Sequence, residues 1–260
     1  MNQGFLPAQF HIADTTEACL QGDALLPFAV DEVLCQNVGE GAMPLVWLWR
    51  HEKAFILGLR DRLLPRAPEA VVQLEREGFQ VGVRHSGGAA VPLDSGVVNI
   101  SLILPKRPGE TQHRAHFETM YRIVAETLGA FGLRVDRGEI AGSYCPGDYD
   151  LSVAGRKFCG IAQRRKIRAL AVQAFVVAEG SGSLRAERVR EFYRTAAAGA
   201  ADQPAAGIAR AAIAGYPEVV PESVTSLKEA GGIGLADFTA ALKAHLAAQG
   251  GIPVSWEDIM

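Results

Sequence analysis

GSYCPGDYDLSVAGRKFCGIAQRR, residues 142–165, reads as a loop, a strand, a tight turn and a second strand. YDLSVAG (149–155) and RKFCGIAQ (156–163) carry the branched and aromatic residues that fit a pleated surface, and Ala154-Gly155 between them suits a tight hairpin turn. LRVDRGEI (133–140) upstream and ALAVQAFVV (169–177) downstream have the same character. Consecutive strands without intervening helices break strict βαβ alternation, so the fold class expected is α+β, with mixed sheets flanked by helices.

The N-terminal half supports this class. Asp23 to Gly39 has apolar positions at helical spacing and a glycine stop. PLVWLWR (44–50) and KAFILGLR (53–60) are short, aromatic-rich and separated by the polar HEK, which predicts a hairpin. A helix over Pro68 to Gly78 follows, then strands FQVGVR (79–84) and VVNISLIL (97–104), joined through PLDSG. From His116 to Phe131 the set Phe117, Met120, Tyr121, Val124, Leu128 and Phe131 falls on one helical face and is expected in the core.

From about Ser183 the chain turns helical, with SLRAERVREFYRTAAA and GLADFTAALKAHLAAQ on either side of an alanine-rich stretch, AAAGAADQPAAGIARAAIAG, read as an irregular connection. No internal repeat is visible, so residues 1–260 are expected to form one catalytic domain, of which 183–260 is a mostly helical C-terminal part.

Composition bounds the function. Twenty-six basic against 29 acidic side chains give a net charge of -3, so no global field draws the chain to nucleic acid or anionic lipid. The N-terminus lacks a basic start followed by an apolar core, and no apolar run approaches the roughly 20 residues that span a bilayer. A cytoplasmic location is expected. The four cysteines, Cys19, Cys35, Cys145 and Cys159, are too dispersed for a redox pair or a zinc knuckle, and no metal or cofactor is expected. Cys19, Cys35 and Cys159 lie among apolar neighbours, where cysteine packs as a small hydrophobe.

Cys145 is different, because it sits on a loop and Lys157 follows twelve positions later, just past the hairpin turn. A thiol is a useful nucleophile as thiolate, which a neighbouring ammonium favours, so the pairing suggests covalent acyl transfer. Strand alternation puts Lys157, Cys159, Ile161 and Gln163 on one face, with Arg156, Phe158 and Gly160 on the other. Arg164, Arg165, Lys166 and Arg168 then gather at the strand end as a solvated turn or a protein-docking patch. In RHSGGAAVPLDSGVVNISL (84–102), Gly87 and Gly88 let backbone amides approach a ligand, although a glycine pair by itself is also an ordinary turn. Arg84 before them and Asn99 after them strengthen the binding reading. His85 has the ordinary pKa of a base, but no geometry that makes it one.

The same stretch resembles the R-x-S-G-G-G-A-V-x-H-D-x-G-x-x-N-x-S block of the lipoate-protein ligase, octanoyltransferase and biotin ligase superfamily. The stretch 142–165, with S-Y-C-P-G-x-Y-D-L-S and G-x-K-x-x-G-I-x-Q-R-R, is similar to one branch, the octanoyl-[glycine cleavage H protein]:protein N-octanoyltransferases, the amidotransferases of lipoate assembly. The resemblance extends from about residue 20 to 240. It implies a ligase-like catalytic domain in which Cys145 takes the octanoyl group as a thioester and Lys157 orients the acyl carbonyl and helps proton transfer. Arg84, Ser86, Gly87, Gly88, Asn99 and Gly160 match substrate-binding positions. Ala89 stands where a third glycine is common, and Leu93 where the superfamily often has histidine.

The activity implied is transfer of an octanoyl group from the lipoyl-lysine of glycine cleavage H protein to the lipoyl domains of 2-oxoacid dehydrogenase E2 subunits. No ATP is needed, because amide is exchanged for amide. Octanoyl transfer from acyl carrier protein, an ATP-dependent lipoate ligase, and a non-catalytic adaptor gripping lipoyl domains are the alternatives. A nucleic-acid partner and a membrane partner are not expected.

Overall fold

The computed structural model describes residues 6–107, 109–110, 113–198 and 215–260. Its centre is a pair of nine-residue strands, β6 (Val97–Pro105) and β10 (Ala169–Val177), antiparallel from Ala169 opposite Pro105 to Val177 opposite Val97. Helices or a second sheet cover both faces, which is why these strands read as nearly continuous apolar runs. Around them the larger sheet has the order β11-β1-β2-β6-β10-β9-β8-β7. It comprises β1 (Phe10–Asp14), β2 (Leu45–Trp49), β7 (Asp136–Arg137), β8 (Leu151–Val153), β9 (Arg156–Arg165) and β11 (Gly251–Pro253) besides the central pair. Three further strands, β3 (Lys53–Leu57), β4 (Gln80–Val83) and β5 (Val91–Asp94), form a smaller sheet with β3 in the middle.

Two apolar cores lie on opposite faces of the larger sheet. Helices α3 (His113–Gly129) and α6 (Leu235–Ala248) close one of them, with Met120, Val124, Leu128, Phe238 and Leu242 buried. On the other face, α1 (Leu26–Gly39), the smaller sheet, α2 (Ala67–Arg76) and α4 (Gly182–Ala196) pack around Leu34, Trp47, Phe55 and Tyr193. A short helix, α5 (Leu227–Gly231), precedes α6 and is started by a capping box between Ser226 and Glu229. Full burial of such side chains stabilises by about 1.5–3 kcal/mol each. The mixed-sheet α+β class is as expected from the sequence. Among the described residues, no helix is long and apolar enough to cross a membrane.

Several local expectations are corrected. PLVWLWR and KAFILGLR do not pair as a hairpin: β2 lies in the larger sheet and β3 in the smaller one. Both edges of β2 are already occupied, by β1 and β6, so the chain bends at His51 and leaves the sheet. There the Nδ1 atom of His51 accepts the Lys53 amide at 3.1 Å. PLDSG is not a plain connection to β6 either, since its first residues belong to β5, antiparallel to β3, while β4 runs parallel on the other side of β3. The Gly87-Gly88 segment between β4 and β5 therefore crosses over the end of β3 and is not a hairpin turn.

The α3 stripe is only partly core, because Phe131 lies beyond the helix end and is 43% exposed. Phe117 stacks on Tyr149, with ring centroids 4.9 Å apart, beside the cavity described below. LRVDRGEI and YDLSVAG contain strands of only two and three residues. The tight turn between β8 and β9 is present, with φ +50° at Ala154 and +74° at Gly155, the positive pair that matches the twist of a two-residue hairpin. Most of the alanine-rich connection, residues 199–214, lies outside the described residues.

Candidate active site

The loop before β8 carries Cys145 in the left-handed region, φ +48°, a conformation that non-glycine residues rarely adopt and that surrounding contacts must hold. Lys157 supplies those contacts. It is 0% exposed, and its ammonium donates to the carbonyl oxygens of Tyr144 at 2.8 Å and Cys145 at 2.6 Å while pairing with Asp150 Oδ1 at 2.8 Å. Three protons thus meet three acceptors. The other Asp150 oxygen accepts the Gly147 amide at 3.2 Å, closing the loop on itself. Burial raises the Asp150 carboxyl above its ordinary range, and the Lys157 charge opposes that rise.

A β-bulge aims Lys157 at this loop. Leu151 pairs with Cys159, but the next residue, Ser152, pairs with Lys157, so β9 carries one extra residue, Phe158. The alternation expected from the sequence is broken there. Phe158 and Cys159 both enter the core under α3, whereas Lys157 lies over the rings of Tyr144 and Phe175, at 5.8 and 5.6 Å from their centroids. Gly160 sits beside it: a Cβ on Gly160 would stand 2.5 Å from the Phe175 ring and 3.4 Å from Lys157 Cε.

The second half of the site is the segment 84–90. Arg84 is buried and donates to the carbonyls of Ile56, Gly87 and Ala89, at 3.3, 3.1 and 2.8 Å. Its Nη2 also lies 3.6 Å from Cys145 Sγ, and the amide of Ala89 donates to the same sulfur at 3.2 Å. The close approach requires glycine at position 88: with φ +98°, a Cβ there would meet Arg84 Nη2 at 2.6 Å and Cys145 Sγ at 2.7 Å. The cation hydrogen-bonded to the sulfur is therefore Arg84, while the Lys157 protons are directed to two backbone carbonyls and the Asp150 carboxylate behind it.

Cys145 opens into a cavity of about 560 Å³, ordinary for a small-molecule site. Arg84, Ser86, Gly87, Gly88, Asn99 and Gly160 all line it, so the structure gathers the sequence-predicted residues in one place, with Lys157 behind the wall. Phe28, Trp49, Ile56, Val91, Leu93 and Phe175 give it a broad apolar flank. Ser86 Oγ is buried and has no hydrogen-bond partner among the described residues. His85 is exposed. Farther along β6, Ser101 takes the Trp49 indole N–H at 3.2 Å and donates to Asp31 at 3.0 Å, and Gln173 donates to the same carboxyl oxygen at 2.6 Å. Burial pushes the Asp31 carboxyl up to about 7.

The other cysteines are packing residues or lie apart: Cys35 and Cys159 are buried and Cys19 is half-buried. Burial pushes the Cys35 thiol up to about 12 and raises that of Cys159 as well. Sequence reading missed Asp150 and the Ala89 amide. Asp150 was within reach, as the acid five residues after the cysteine.

A cysteine sulfur with two hydrogen-bond donors at the head of an apolar cavity is an arrangement suited to acyl transfer, and the comparisons name the family. The chain belongs to the lipoyl protein ligase A/B catalytic domain family, which matches residues 23–247. It is 45% identical over 80% of its length to the octanoyl-[GcvH]:protein N-octanoyltransferase of Geobacillus kaustophilus, covering 70% of that protein. A lipoyl-[GcvH]:protein N-lipoyltransferase of Listeria monocytogenes is 37% identical over 80% of the chain and 71% of its own length. Its relatives make this chain an acyltransferase of the N-octanoyltransferase branch. A crystal structure of lipoate-protein ligase A bound with ATP shares the fold, with a TM-score of 0.69 over 96% of this chain and 92% of that one at 17% identity.

Proposed function

We propose that this acyltransferase moves an octanoyl group from the lipoyl-lysine of glycine cleavage H protein to the lipoyl domains of 2-oxoacid dehydrogenase E2 subunits, through a thioester on Cys145. The observation that carries the reading is the Cys145 sulfur, held between the Arg84 guanidinium and the Ala89 amide at the head of the cavity, in a chain so similar to an N-octanoyltransferase. Both donors favour a negative sulfur. The thiolate adds to the octanoyl-amide carbonyl carbon, the C–N bond breaks, and the lysine leaves as a neutral amine carrying the proton the thiol gave up. The second lysine's neutral amine then attacks the thioester carbonyl carbon, the C–S bond breaks, and the proton that the amine loses returns to the sulfur, restoring the thiol.

Lys157 fixes the geometry of the nucleophile, and Asn99, Ser86 and the glycines shape the acyl-carbonyl end. The apolar flank takes the eight-carbon chain, each buried methylene contributing about 0.8 kcal/mol. In this reading the whole chain acts as one catalytic domain in the cytoplasm, without ATP, metal or cofactor.

Incubation with octanoylated H protein tests it. Intact-mass spectrometry should show a hydroxylamine-labile octanoyl adduct on the native protein and none on Cys145→Ala, and the adduct should pass to an apo E2 lipoyl domain. Because the exchange is nearly thermoneutral, octanoylated E2 domain should acylate apo H protein as well. Acylation by octanoyl-acyl carrier protein alone would replace the proposed donor, and acylation of Cys145→Ala at the native rate would remove the thioester.

A further inference from the structure

Two buried polar side chains lie outside the cavity wall and hold the segment that faces Cys145. Tyr193, on α4, is 2% exposed, and Asp61, in the 3-10 turn Asp61–Leu63 after β3, is 3% exposed. The Tyr193 hydroxyl donates to Asp61 Oδ1 at 2.9 Å and accepts the amide of Ala90 at 3.1 Å. Asp61 Oδ2 in turn accepts the amide of Gly58 at 2.7 Å. Gly58 lies directly under the segment, where a Cβ would stand 2.1 Å from the carbonyl oxygen of Gly88. Ala90 is the immediate neighbour of Ala89, whose amide donates to the sulfur. Asp61 also exerts a mutual attraction on Arg84, the other donor to that sulfur.

The sulfur and its donors come from different sheets, so nothing local aligns them. Tyr193 is well fixed to act as the reference. Its ring meets those of Phe192 and Tyr216 at 5.1 and 5.4 Å, and α4 is tied to β5 by a two-point ion pair between Arg185 and Asp94. We infer that Tyr193 and Asp61 are positioning residues that set the Ala89 amide and the Arg84 guanidinium against Cys145 and thereby set the reactivity of its thiol. The inference rests on the thioester reading for its consequence in transfer. Its claim on the sulfur is measurable without any acyl donor.

The test is peptide-resolved alkylation of Cys145 by iodoacetamide as a function of pH, together with kcat and KM for octanoyl transfer. Tyr193→Phe keeps the ring and removes the hydroxyl. It should slow alkylation at pH 7 about tenfold, move the pH profile to higher pH, and lower kcat with KM unchanged. Asp61→Asn keeps the shape and removes the charge, and should act in the same direction, more weakly. Both variants should retain the native circular dichroism spectrum, and Asp61→Asn serves if Tyr193→Phe does not fold. Folded variants whose alkylation profiles lie within twofold of the native one would overturn the inference. A native protein that alkylates normally at Cys145 yet never takes the octanoyl group would remove the thioester reading and leave the positioning role to be judged on the alkylation profiles.

Discussion

Lys157 and Arg84 are both buried cations beside Cys145, and they handle it from opposite sides. Lys157 faces the backbone, with its three protons on two carbonyls and the Asp150 carboxylate. Arg84 faces the sulfur, is tied to carbonyls of its own segment and of Ile56 on β3, and forms no ion pair among the described residues. A cation neutralised at contact distance is a fastener, because its field is largely cancelled a few ångströms away. One held by neutral carbonyls keeps its field for whatever charge appears nearby. In the proposed mechanism the difference divides the labour: one residue fixes where the nucleophile stands and the other faces the charge that develops on it.

The largest effect is expected at Lys157. Lys157→Ala leaves Asp150 buried without its cation, so stability in urea unfolding should fall by about 3–5 kcal/mol, and acyl-enzyme should be undetectable by intact mass. Lys157→Met with Asp150→Leu removes both charges and should recover most of the stability without recovering transfer. Recovery of activity in that pair would merge the two roles.

Arg84→Lys comes next. A compact ammonium lacks the fork that reaches three carbonyls and the sulfur together. Transfer should drop on the order of 10²-fold, as for loss of one preorganised donor, with a stability change well below that of Lys157→Ala. Equal stability losses in the two variants would break the proposed division.

Asp31 sharpens the contrast, being a buried carboxyl with hydrogen-bond donors but no ion-pair partner among the described residues. Its folded-state pKa of about 7 lies above the ordinary carboxylate value of 3.8. Its stabilising contribution is thus complete below about pH 4 and is lost as pH rises toward 7, by up to about 1.4 kcal/mol per pH unit. Urea unfolding of Asp31→Asn should lack this slope, so the variant should gain on the native protein between pH 4 and 7.

The smallest change in rate is expected for Cys159→Ser, which introduces a hydroxyl into the core under α3. It should cost about 1–3 kcal/mol in stability and leave transfer within about twofold. Loss of acyl-enzyme in a folded Cys159→Ser would put the wrong thiol at the centre of the mechanism.

Sequence reading reached the α+β class, the Ala154-Gly155 turn and the helices at Asp23 to Gly39 and Pro68 to Gly78 because periodicity and glycine chemistry are local. It failed at β2 and β3 because two adjacent strands look the same whether they pair together or join separate sheets; the competition between β1, β6 and β3 for the edges of β2 is settled only in three dimensions. It gathered Cys145, Arg84 and the glycines from motif strings and took Lys157 as the neighbouring charge from its place twelve residues on, but strand alternation put Lys157 and Cys159 on one face, and a bulge breaks that alternation. Asp61 and Tyr193, 132 residues apart, meet through packing alone.

The extra residue in β9 also decides what the loss of one residue from that strand would do. Deleting Phe158 would give a tidier ladder with β8 and would empty the space that its buried ring fills in the core under α3. With Cys159 still anchored opposite Val176, restored alternation would leave Lys157 on the face of Tyr144 and Phe175, across the sheet from Cys159. One lost codon would thus keep the buried lysine on its own side of the sheet and be felt on the other, as a missing ring in the layer beneath α3.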